Sequence, residues 1–503
     1  MIVKTNQEEF LGYQIDASNL QGGHAEKLFI PENTVEIAEI LCEANQNKIF
    51  VTISGARTGL VGGCVPFGGY LISLEKLNQI ISIKKTENGG KSVVQAGVIL
   101  ADFQKAVESQ GLFYPPDPTE WSCQIGGTVA TNASGSRSFR YGSTRPFVKR
   151  LEIVLPTGDI LDLKRGEIFS DNGLLVLQTK SGKAISIKVP TYTAPDVRKN
   201  TSGYFSAEKI DAIDLFIGSE GTLGVITEIE FNLLPKPAGF LSGIVFFNDE
   251  NDLLNFVREA RNISFETRKI QNPKSKIQNR IDATLLEYFD DEALNFIKEK
   301  FAEVPENAAG AVYFEQETTA ETEDVLFEQW NELLEKHHAN VDNSWFTTTE
   351  EDRKKMREFR HALPVTVNEW IVRHGQRKVS TDIAVPDENF ASMLRFYKKT
   401  LKDSSLQYVI FGHIGDNHLH VNILPKDADE AKQAKFLYGR FIAQGIMLGG
   451  TISAEHGIGK VKSKYLNVMY GERYLNEMAE IKRAIDPNSI LGRGNIFNAK
   501  LLG

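Results

Sequence analysis

The sequence predicts an α+β protein built from two domains and a closing C-terminal segment. Stretches with a helical apolar period alternate with short stretches rich in β-branched residues. A Pro/Gly-rich break, "LLPKPAG", falls near residue 235, and longer charged helical segments follow it. The 503-residue chain is long enough for more than one domain. We place the domains at residues 1–237 and 238–445, and a C-terminal segment at residues 446–503.

The first domain is predicted to alternate helices and strands. Residues 34–47 carry apolar side chains at helical spacing, with Asn33 or Thr34 available as the N-cap. The stretches "KIFVTIS" and "YLISLEKLNQIISIKK" are strand-like, and "VVQAGVILADFQKAVESQG" predicts a strand, a turn and a helix that ends at Gly111. The stretch "FVKRLEIVLPTGDILDL" predicts a hairpin around residues 156–159.

The second domain is predicted to be an antiparallel sheet covered by helices on one face. The charged stretches "DDEALNFIKEKFAEV" and "ETEDVLFEQWNELLEKHHA" predict helices, whereas "AGAVYFEQE" and "QYVIFGH" predict strands. The stretch "NPKSKIQNR" predicts an exposed loop. For the last sixty or so residues, we expect glycine-rich turns and short helices.

Composition excludes several classes of protein. The net charge is −9 and there is no block of lysine or arginine, which gives little support to nucleic-acid binding. No run of eighteen apolar residues could span a membrane, and "MIVKTNQEEF" lacks the apolar core of a signal peptide. The scattered Cys42, Cys64 and Cys123 argue against a disulfide framework and an iron–sulfur cluster. We therefore expect a cytoplasmic protein.

Glycine is concentrated in three stretches, "SGARTGLVGG" (54–63), "QIGGTVATNASGS" (124–136) and "IGSEGTLGVIT" (217–227). Glycine lets the backbone approach a ligand closely, and successive N–H groups can surround phosphate oxygens. None of the three is a Walker A loop or a GxGxxG motif with a later acidic residue, so the P-loop and Rossmann classes are not supported. Any one stretch alone is more typical of an ordinary tight turn.

Four of the nine histidines lie in two short C-terminal clusters, "FGHIGDNHLHVN" and "SAEHGIGK". In the first cluster, the period of a strand places His418, His420 and Asn422 on one face. His413 lies on the other side of a predicted tight turn at residues 415–417. Such a turn would bring His413 and His420 within reach of one ion.

The second cluster adds a carboxylate and a further imidazole, Glu455 and His456. Two histidines and one carboxylate are typical of a metal site with an open coordination position. A spare histidine beside the metal could act as a base. The alternative is a set of hydrogen-bonded polar residues on a half-buried sheet.

The set of motifs resembles the FAD-binding domain of the vanillyl-alcohol oxidase / p-cresol methylhydroxylase (PCMH) type. The resemblance covers nearly the whole chain and rests on "PENTVEIAEIL", "SGARTGLVGG", "VQAGV", "GLFYPPDP", "IGGTVATNASGS", "RYGSTRPFVKRLEIVLPTG", "IGSEGTLGVIT" and "KRAIDPNSIL". The histidine motifs are similar to those of the D-2-hydroxyacid dehydrogenase branch, which includes D-lactate and D-2-hydroxyglutarate dehydrogenases and glycolate oxidase flavin subunits. The resemblance implies a two-part FAD domain, in which residues 446–503 complete residues 1–237 and the active site, and a cap domain at residues 238–445 that binds the substrate.

The resemblance implies contacts along bound FAD. Contacts with the pyrophosphate are implied for Gly55, Ala56, Arg57, Thr58 and Gly59. Contacts elsewhere on the cofactor are implied for Pro116, Gly126, Gly127, Ala130, Asn132, Gly142, Gly221, Gly224, Ile226 and, within "LGRGN", Asn495. Arg57 departs from the family's small residue, and either pairs with a phosphate or points to solvent. No histidine lies near the first loop, so we expect noncovalent FAD.

The resemblance also implies a divalent ion, usually zinc, held by His413, His420 and Glu455, with His456 as the catalytic base. His418 replaces a usual asparagine. It could be a fourth ligand, a group that supports the ligands, or a polar residue that binds the substrate, and we favour the last two.

The implied reaction oxidises a D-2-hydroxyacid to a 2-oxoacid. The metal lowers the pKa of the α-hydroxyl, His456 takes its proton, and a hydride leaves to flavin N5. Arg360 in "REFRHALP" matches a substrate-carboxylate arginine. Ser380 in "KVSTDIAVP" stands where D-2-hydroxyglutarate dehydrogenases carry a lysine, which favours a D-lactate-like monoacid. Lys378 and Arg377 lie close enough to keep a second substrate carboxylate open.

Other functions stay open at this stage. Within the fold they are D-2-hydroxyglutarate dehydrogenase or glycolate oxidase activity, another alcohol oxidase, and an ether-lipid synthase, which the ordered "AEHG" cluster disfavours. A noncatalytic flavin- or metal-binding module and an NADPH reductase are alternatives of other classes. The electron acceptor could be a quinone, a cytochrome, an electron-transfer flavoprotein, oxygen or a second substrate. A homodimer is compatible with the sequence.

Overall fold

A computed structural model of the chain describes residues 1–270, 279–347 and 349–502. The loop predicted at residues 272–280 lies outside this described part, apart from its last two residues. Helices and strands are mixed throughout, so the α+β class predicted from the sequence is confirmed.

The elements that precede residue 236 are short. The strands are β1 (Ile2–Lys4), β2 (Lys27–Ile30), β3 (Val51–Ser54), β4 (Tyr70–Ser73), β5 (Ile80–Thr86), β6 (Gly89–Gln95), β7 (Leu112–Phe113), β8 (Val148–Val154), β9 (Ile160–Lys164), β10 (Leu174–Gln178), β11 (Ala184–Lys188) and β12 (Val225–Pro235). The helices are α1 (Thr34–Gln46), α2 (Leu100–Ser109), α3 (Ile125–Ala130), α4 (Ser138–Tyr141) and α5 (Ala212–Phe216). One sheet has the order β1-β2-β4-β3, a second has the order β5-β6-β12-β8-β9, and β10 pairs with β11.

Local signals in this region predicted the structure well. Asn33 is the N-cap of α1, because its side chain accepts a hydrogen bond from the Glu36 N–H at 3.0 Å. Strands β8 and β9 form the predicted hairpin. Helix α2 ends at Ser109, and Gly111 follows with a φ of +67°, which a glycine adopts without strain.

The second region carries longer elements. Its strands are β13 (Gly239–Phe247), β14 (Leu285–Asp290), β15 (Gly310–Thr318), β16 (Trp345–Thr347), β17 (Val379–Ser380), β18 (Ile383–Ala384), β19 (Tyr408–Gly412) and β20 (His418–Ile423). Its helices are α6 (Glu250–Ile270), α7 (Asp291–Ile297), α8 (Glu323–Lys336), α9 (Glu350–His374), α10 (Phe390–Ser404) and α11 (Ala428–Met447), and α12 (Ser463–Ile485) follows. The strands form an antiparallel sheet in the order β16-β13-β15-β14-β19-β20-β17, and β18 also pairs with β20.

Helices cover this sheet on both faces, so the prediction of one covered face was wrong. Phe246 of β13 packs in a core cluster with Phe359 of α9. Its neighbour Phe247 points the other way and packs in a different cluster, with Phe256 of α6 and Trp330 of α8. An apolar run such as the end of β13 is typical of a strand buried on both faces.

Two helix lengths also differ from expectation. Helix α7 ends at Ile297, and the following residues form turns that bring Val304 into the same core. The C-terminal region contains α12, which is 23 residues long and is interrupted at Gly471, where φ is +76°. Apolar residues alone did not distinguish a continued helix from a turn that packs against the same core.

Candidate active site

A cavity lies where the three glycine-rich stretches meet. Eight of the predicted flavin contacts line it: Gly55, Gly59, Gly126, Gly127, Ala130, Gly221, Gly224 and Ile226. His456 lines the same cavity and comes from the C-terminal segment. The structure therefore brings the three glycine stretches together around one cavity. Other lining residues, such as Gln124 and Glu220, were not singled out from the sequence.

Two neighbouring glycines at the start of α3 show how the wall is built. A Cβ atom on Gly126 would lie 2.6 Å from the Cβ of Ala96, so Gly126 is required for packing behind the wall. A Cβ atom on Gly127 would meet no described protein atom within 4 Å. Because Gly127 lines the cavity, that open space is available to a ligand.

Seven predicted flavin contacts do not line the cavity: Ala56, Arg57, Thr58, Pro116, Asn132, Gly142 and Asn495. The Arg57 guanidinium lies 4.4 Å from the ring centre of Tyr13, a cation–π contact that neither predicted alternative included. The Asn132 side chain accepts a hydrogen bond from the Arg145 N–H at 3.0 Å and so supports the second glycine stretch.

Asn495 joins two glycine-rich stretches behind the cavity. Its Nδ2 donates to the carbonyl oxygens of Gly63 and Glu220, both at 3.1 Å. The Glu220 carboxylate in turn accepts hydrogen bonds from the N–H groups of Ile458 and Gly459. The C-terminal segment is thereby fastened to the first and third stretches.

Three donor atoms from the two C-terminal clusters converge beside the cavity, and we call these residues and the groups around them the histidine–carboxylate cluster. The Nε2 atoms of His413 and His420 each lie 3.2 Å from Oε1 of Glu455. A tetrahedral zinc ion with bonds of about 2.0–2.2 Å separates its ligand atoms by about 3.3–3.6 Å. The donor set and its spacing therefore fit a divalent ion with these three ligands.

His413 is held from behind by a buried carboxylate on β14. Its Nδ1 lies 2.5 Å from Oε1 of Glu287, and Oε2 of Glu287 accepts from Nε of Arg360 at 3.1 Å. Burial opposes charge on Glu287, yet His413 and Arg360 lower its pKa to about 2. Burial also opposes charge on His413, but Glu287 and Glu455 raise its pKa to about 9. The two carboxylates thus favour a protonated His413, and a cation bound at Nε2 would displace that proton.

The other two candidate ligands are held in the same way. Nδ1 of His420 lies 3.1 Å from the Thr381 carbonyl oxygen. Oε2 of Glu455 accepts from the Ser134 hydroxyl at 2.9 Å and from Nζ of Lys199 at 3.0 Å, which leaves Oε1 directed at the histidines. Burial opposes the charge of Glu455, but Lys199 and His413 hold its pKa well below the usual range. Such supporting contacts orient metal ligands in known sites.

His456 lies between these donors and the cavity. Its ring stacks on that of His420 with centroids 5.2 Å apart and planes at 9°. Its Nδ1 is 3.5 Å from Oδ2 of Asp382, and its Nε2 is 3.7 Å from Oε1 of Glu455. Burial lowers the pKa of His456 to about 4 despite the nearby Asp382 carboxylate. The imidazole is therefore neutral near pH 7 and can accept a proton.

His418 is completely buried, and its Nε2 lies 3.1 Å from Oδ1 of Asp382. Burial, followed by the neighbouring His420, lowers the pKa of His418 to about 3. A ring nitrogen of His418 lies within 4.8 Å of donor atoms of His413, His420 and Glu455. His418 does not line the flavin cavity, so its position gives no support to the predicted role in substrate binding. The predicted alternation along β20 is consistent with the structure, because Leu419, Val421 and Ile423 are all core residues.

The two remaining predicted substrate residues take different positions. Arg360 lies on α9 and reaches the histidine cluster through Glu287. Ser380 lies on β17 opposite Asn422 of β20, the strand that also carries His420. The structure therefore brings Arg360 to the cluster and leaves Ser380 on the strand beside it.

Sequence reasoning missed the groups that support the cluster: Ser134, Lys199, Glu287, Asp382 and Lys462. Glu287 and Asp382 stand within the mainly apolar stretches "LLEYFD" and "STDIAVP", which was a usable signal, because a buried carboxylate needs a partner. Ser134 and Lys199 lie outside helices and strands, and no pattern marks them.

Two family models match the chain. "FAD binding domain" matches residues 25–164, and "FAD linked oxidases, C-terminal domain" matches residues 270–496. None of the described helices is both long enough and apolar enough to cross a membrane.

Several curated proteins are similar over almost their whole length. The chain is 32% identical to a D-lactate dehydrogenase of Anaerostipes hadrus, over 92% of this chain and 88% of that protein. It is 29% identical to glycolate oxidase subunit GlcD of Bacillus subtilis (strain 168), over 97% and 92%. It is 28% identical to a D-2-hydroxyglutarate dehydrogenase of Stutzerimonas stutzeri (strain A1501), over 94% and 91%.

Among solved structures, an alkyldihydroxyacetonephosphate synthase aligns with a TM-score of 0.66 at 16% identity, covering 97% of this chain and 82% of that one. At this identity the likeness shows the fold alone, which is the predicted PCMH-type flavoenzyme fold. Together with the two family models and the curated relatives, it establishes that the chain is an FAD-dependent oxidoreductase that belongs to the FAD-linked oxidase family of the D-lactate dehydrogenases, D-2-hydroxyglutarate dehydrogenases and glycolate oxidase flavin subunits.

Proposed function

We propose that the protein oxidises a D-2-hydroxyacid resembling D-lactate to the 2-oxoacid, using noncovalent FAD and a divalent metal ion such as zinc. The observation that carries this proposal is that His413 Nε2 and His420 Nε2 each lie 3.2 Å from Glu455 Oε1, beside His456, which also lines the flavin cavity. The relatives named for oxidation of D-lactate, glycolate and D-2-hydroxyglutarate support the substrate class.

The proposed roles follow from the positions of the side chains. His413, His420 and Glu455 hold the ion, which as a Lewis acid would lower the pKa of the substrate's α-hydroxyl. His456 is neutral, and its Nε2 faces Glu455, so it is placed to accept the hydroxyl proton. FAD in the cavity would supply the hydride acceptor. In this arrangement residues 1–237 and 446–503 surround FAD, and residues 238–445 cover the substrate.

Arg360 is the proposed partner of the substrate carboxylate. Its Nε is bound to Glu287, and the rest of its guanidinium can bind a second carboxylate. Arg360→Ala should raise the substrate KM. An unchanged KM would remove this assignment.

The two candidate substrates, D-lactate and D-2-hydroxyglutarate, differ in a second carboxylate, which only D-2-hydroxyglutarate carries. Ser380 carries no charge that could bind a second carboxylate, which favours D-lactate over D-2-hydroxyglutarate. Lys378 supports D-2-hydroxyglutarate instead, because it stands two residues before Ser380 and carries an ammonium group that could bind a second carboxylate. Burial lowers the pKa of Lys378, as expected for an ammonium group withdrawn from water.

Anaerobic reduction of the flavin tests the proposal directly. The holoenzyme is mixed with D-lactate, L-lactate, glycolate, D-2-hydroxyglutarate or NADPH, and loss of flavin absorbance is followed, with metal content measured on the same sample. We expect D-lactate to reduce the flavin fastest, and about one equivalent of divalent metal per chain. Faster reduction by D-2-hydroxyglutarate would transfer the assignment to that acid. No reduction by any hydroxyacid would overturn the proposed reaction.

A further inference from the structure

One buried carboxylate contacts both Glu455 and His456. Asp382 lies between β17 and β18 and is completely buried. Its Oδ1 accepts the backbone N–H of Glu455 at 3.1 Å, and its Oδ2 accepts the backbone N–H of His456 at 3.0 Å. Two successive amides bound by one carboxylate fix the orientation of the peptide between them.

The surroundings of Asp382 keep it charged. Oδ2 also accepts from Nζ of Lys462 at 2.6 Å and from the Ser453 hydroxyl at 2.7 Å, and Nε2 of His418 lies 3.1 Å from Oδ1. The Lys462 ammonium and the hydroxyl and amide donors around it compensate the buried negative charge of Asp382. Asp382, His420 and His456 are close enough together to suggest a second metal site. However, the Lys462 ammonium already occupies the place of a cation there.

Asp382 also faces the imidazole of His456. Nδ1 of His456 lies 3.5 Å from Oδ2, so a carboxylate here favours the tautomer with its proton on Nδ1. That tautomer leaves Nε2 unprotonated on the side of Glu455, where the proposed base must act. An uncharged amide at position 382 would lose this preference.

We propose that Asp382 is a positioning residue for the reaction, which fixes the 455–456 peptide and the acceptor nitrogen of His456. This inference rests on the proposed function. Asp382 lies between two strands of the antiparallel sheet of the second region, and it would align the base His456 and the metal ligand Glu455, which both lie on the C-terminal segment. Asp382 itself contacts neither the flavin cavity nor the converging donor atoms of the proposed ion.

The test compares Asp382→Asn with Asp486→Asn in the holoenzyme. Asp486 is a matched control, because it is also fully buried and paired with a buried lysine, Lys482, but lies outside the cluster. The rate constant of flavin reduction and the dissociation constant for D-lactate are taken from one anaerobic stopped-flow titration. FAD content, metal content and melting temperature are measured in parallel.

For Asp382→Asn we expect flavin reduction to slow by about 100-fold or more, with the D-lactate dissociation constant within about threefold of wild type. FAD and metal contents should stay at wild-type levels. A rate within threefold of wild type, or a loss no larger than in Asp486→Asn, would overturn the inference. A loss that merely follows lower FAD or metal content would also overturn it, since it would show a structural role.

Asp382→Glu provides a second variant if the asparagine variant does not fold. It keeps the charge beside Lys462 but displaces both oxygens by one methylene, so we expect a folded enzyme that reduces flavin at least about tenfold more slowly. A wild-type rate would contradict positioning. A crystal structure of either variant adds a readout that needs no substrate. An unmoved 455–456 peptide and His456 ring would overturn this inference. That result would count even if no hydroxyacid reduced the wild-type enzyme and the proposed function had failed.

Discussion

The flavin cavity and the histidine–carboxylate cluster lie side by side, yet they are built in opposite ways. The cavity wall is mostly backbone, and its predicted residues are mainly glycines that leave space where a side chain would stand. The cluster is made of charged and polar side chains, and each candidate ligand is held from behind by another group. The cavity depends on the lack of side chains at its glycines, whereas the cluster depends on pairing between buried charged and polar groups.

This difference determines how each region should fail. An added methyl group in a packed wall forces neighbouring atoms apart and costs about 1–3 kcal/mol. A removed partner in a buried charge network leaves an uncompensated charge or a misoriented ligand. Substitutions should therefore damage the cavity through size and the cluster through charge.

The largest expected effect is on the residue that both regions share. His456→Ala removes the proposed base but none of the proposed metal ligands, so flavin reduction by D-lactate should slow by about 10²–10⁴-fold while FAD stays bound. Stopped-flow reduction of the purified variant measures this. His374→Ala is the control, because His374 stacks on Trp370 in the last turn of α9 and should have no effect. Near-normal reduction in His456→Ala would eliminate it as the base.

Gly126→Ala and Gly127→Ala test whether the cavity wall tolerates an added methyl group at these two positions. The new methyl on residue 126 would collide with Ala96, so the apoprotein should lose about 1–3 kcal/mol of unfolding free energy. The methyl on residue 127 enters the open cavity, so the apoprotein should be as stable as wild type but bind FAD more weakly. Thermal melts with and without FAD, and FAD titrations, separate the two effects. Unchanged FAD affinity in Gly127→Ala would show that the flavin lies elsewhere.

Glu287→Gln tests whether the cluster depends on supporting charge. The variant keeps all three proposed ligands but removes the carboxylate behind His413, so metal affinity should fall about 10–100-fold. Competition with a chelator measures the affinity. The control is Glu315→Gln, which removes a buried carboxylate bound to Arg137 rather than to a candidate ligand. Equal metal affinity in the two variants would contradict the role of Glu287 and weaken the metal assignment.

The same contrast explains what could be predicted from the sequence. The glycine stretches were recognisable because a close backbone approach imposes a residue type, and the period of β20 placed His420 correctly because a strand alternates its faces. Partners such as Lys199 and Asp382 come from distant parts of the chain, and a lone lysine or aspartate gives no sign of the group that it will meet. His418 followed the strand period, but burial against Asp382 depends on tertiary packing that periodicity does not contain.

The smallest expected effect concerns Asp290, a buried carboxylate on β14, the strand that also carries Glu287. Unlike Glu287, Asp290 has no cation from the described part of the chain bound to its side chain that would stabilise a negative charge there. Asp290 lies three residues after Glu287 and caps α7: its Oδ1 accepts from the N–H groups of Ala293 and Ile410, while Oδ2 has no hydrogen-bond partner among the described residues. Burial raises its pKa to about 8, although Lys398 opposes the shift.

Because this folded-state pKa exceeds the unfolded value of about 3.9, Asp290 costs no stability near pH 4 and progressively more as the pH rises toward 8. Asp290→Asn keeps the capping oxygen without the charge, so its unfolding free energy at pH 8 should exceed that of wild type by on the order of 1–2 kcal/mol. The difference should vanish near pH 4. Urea unfolding followed by circular dichroism at pH 4, 6 and 8 measures it, and a gain that is the same at every pH would show that the charge of Asp290 is not its cause.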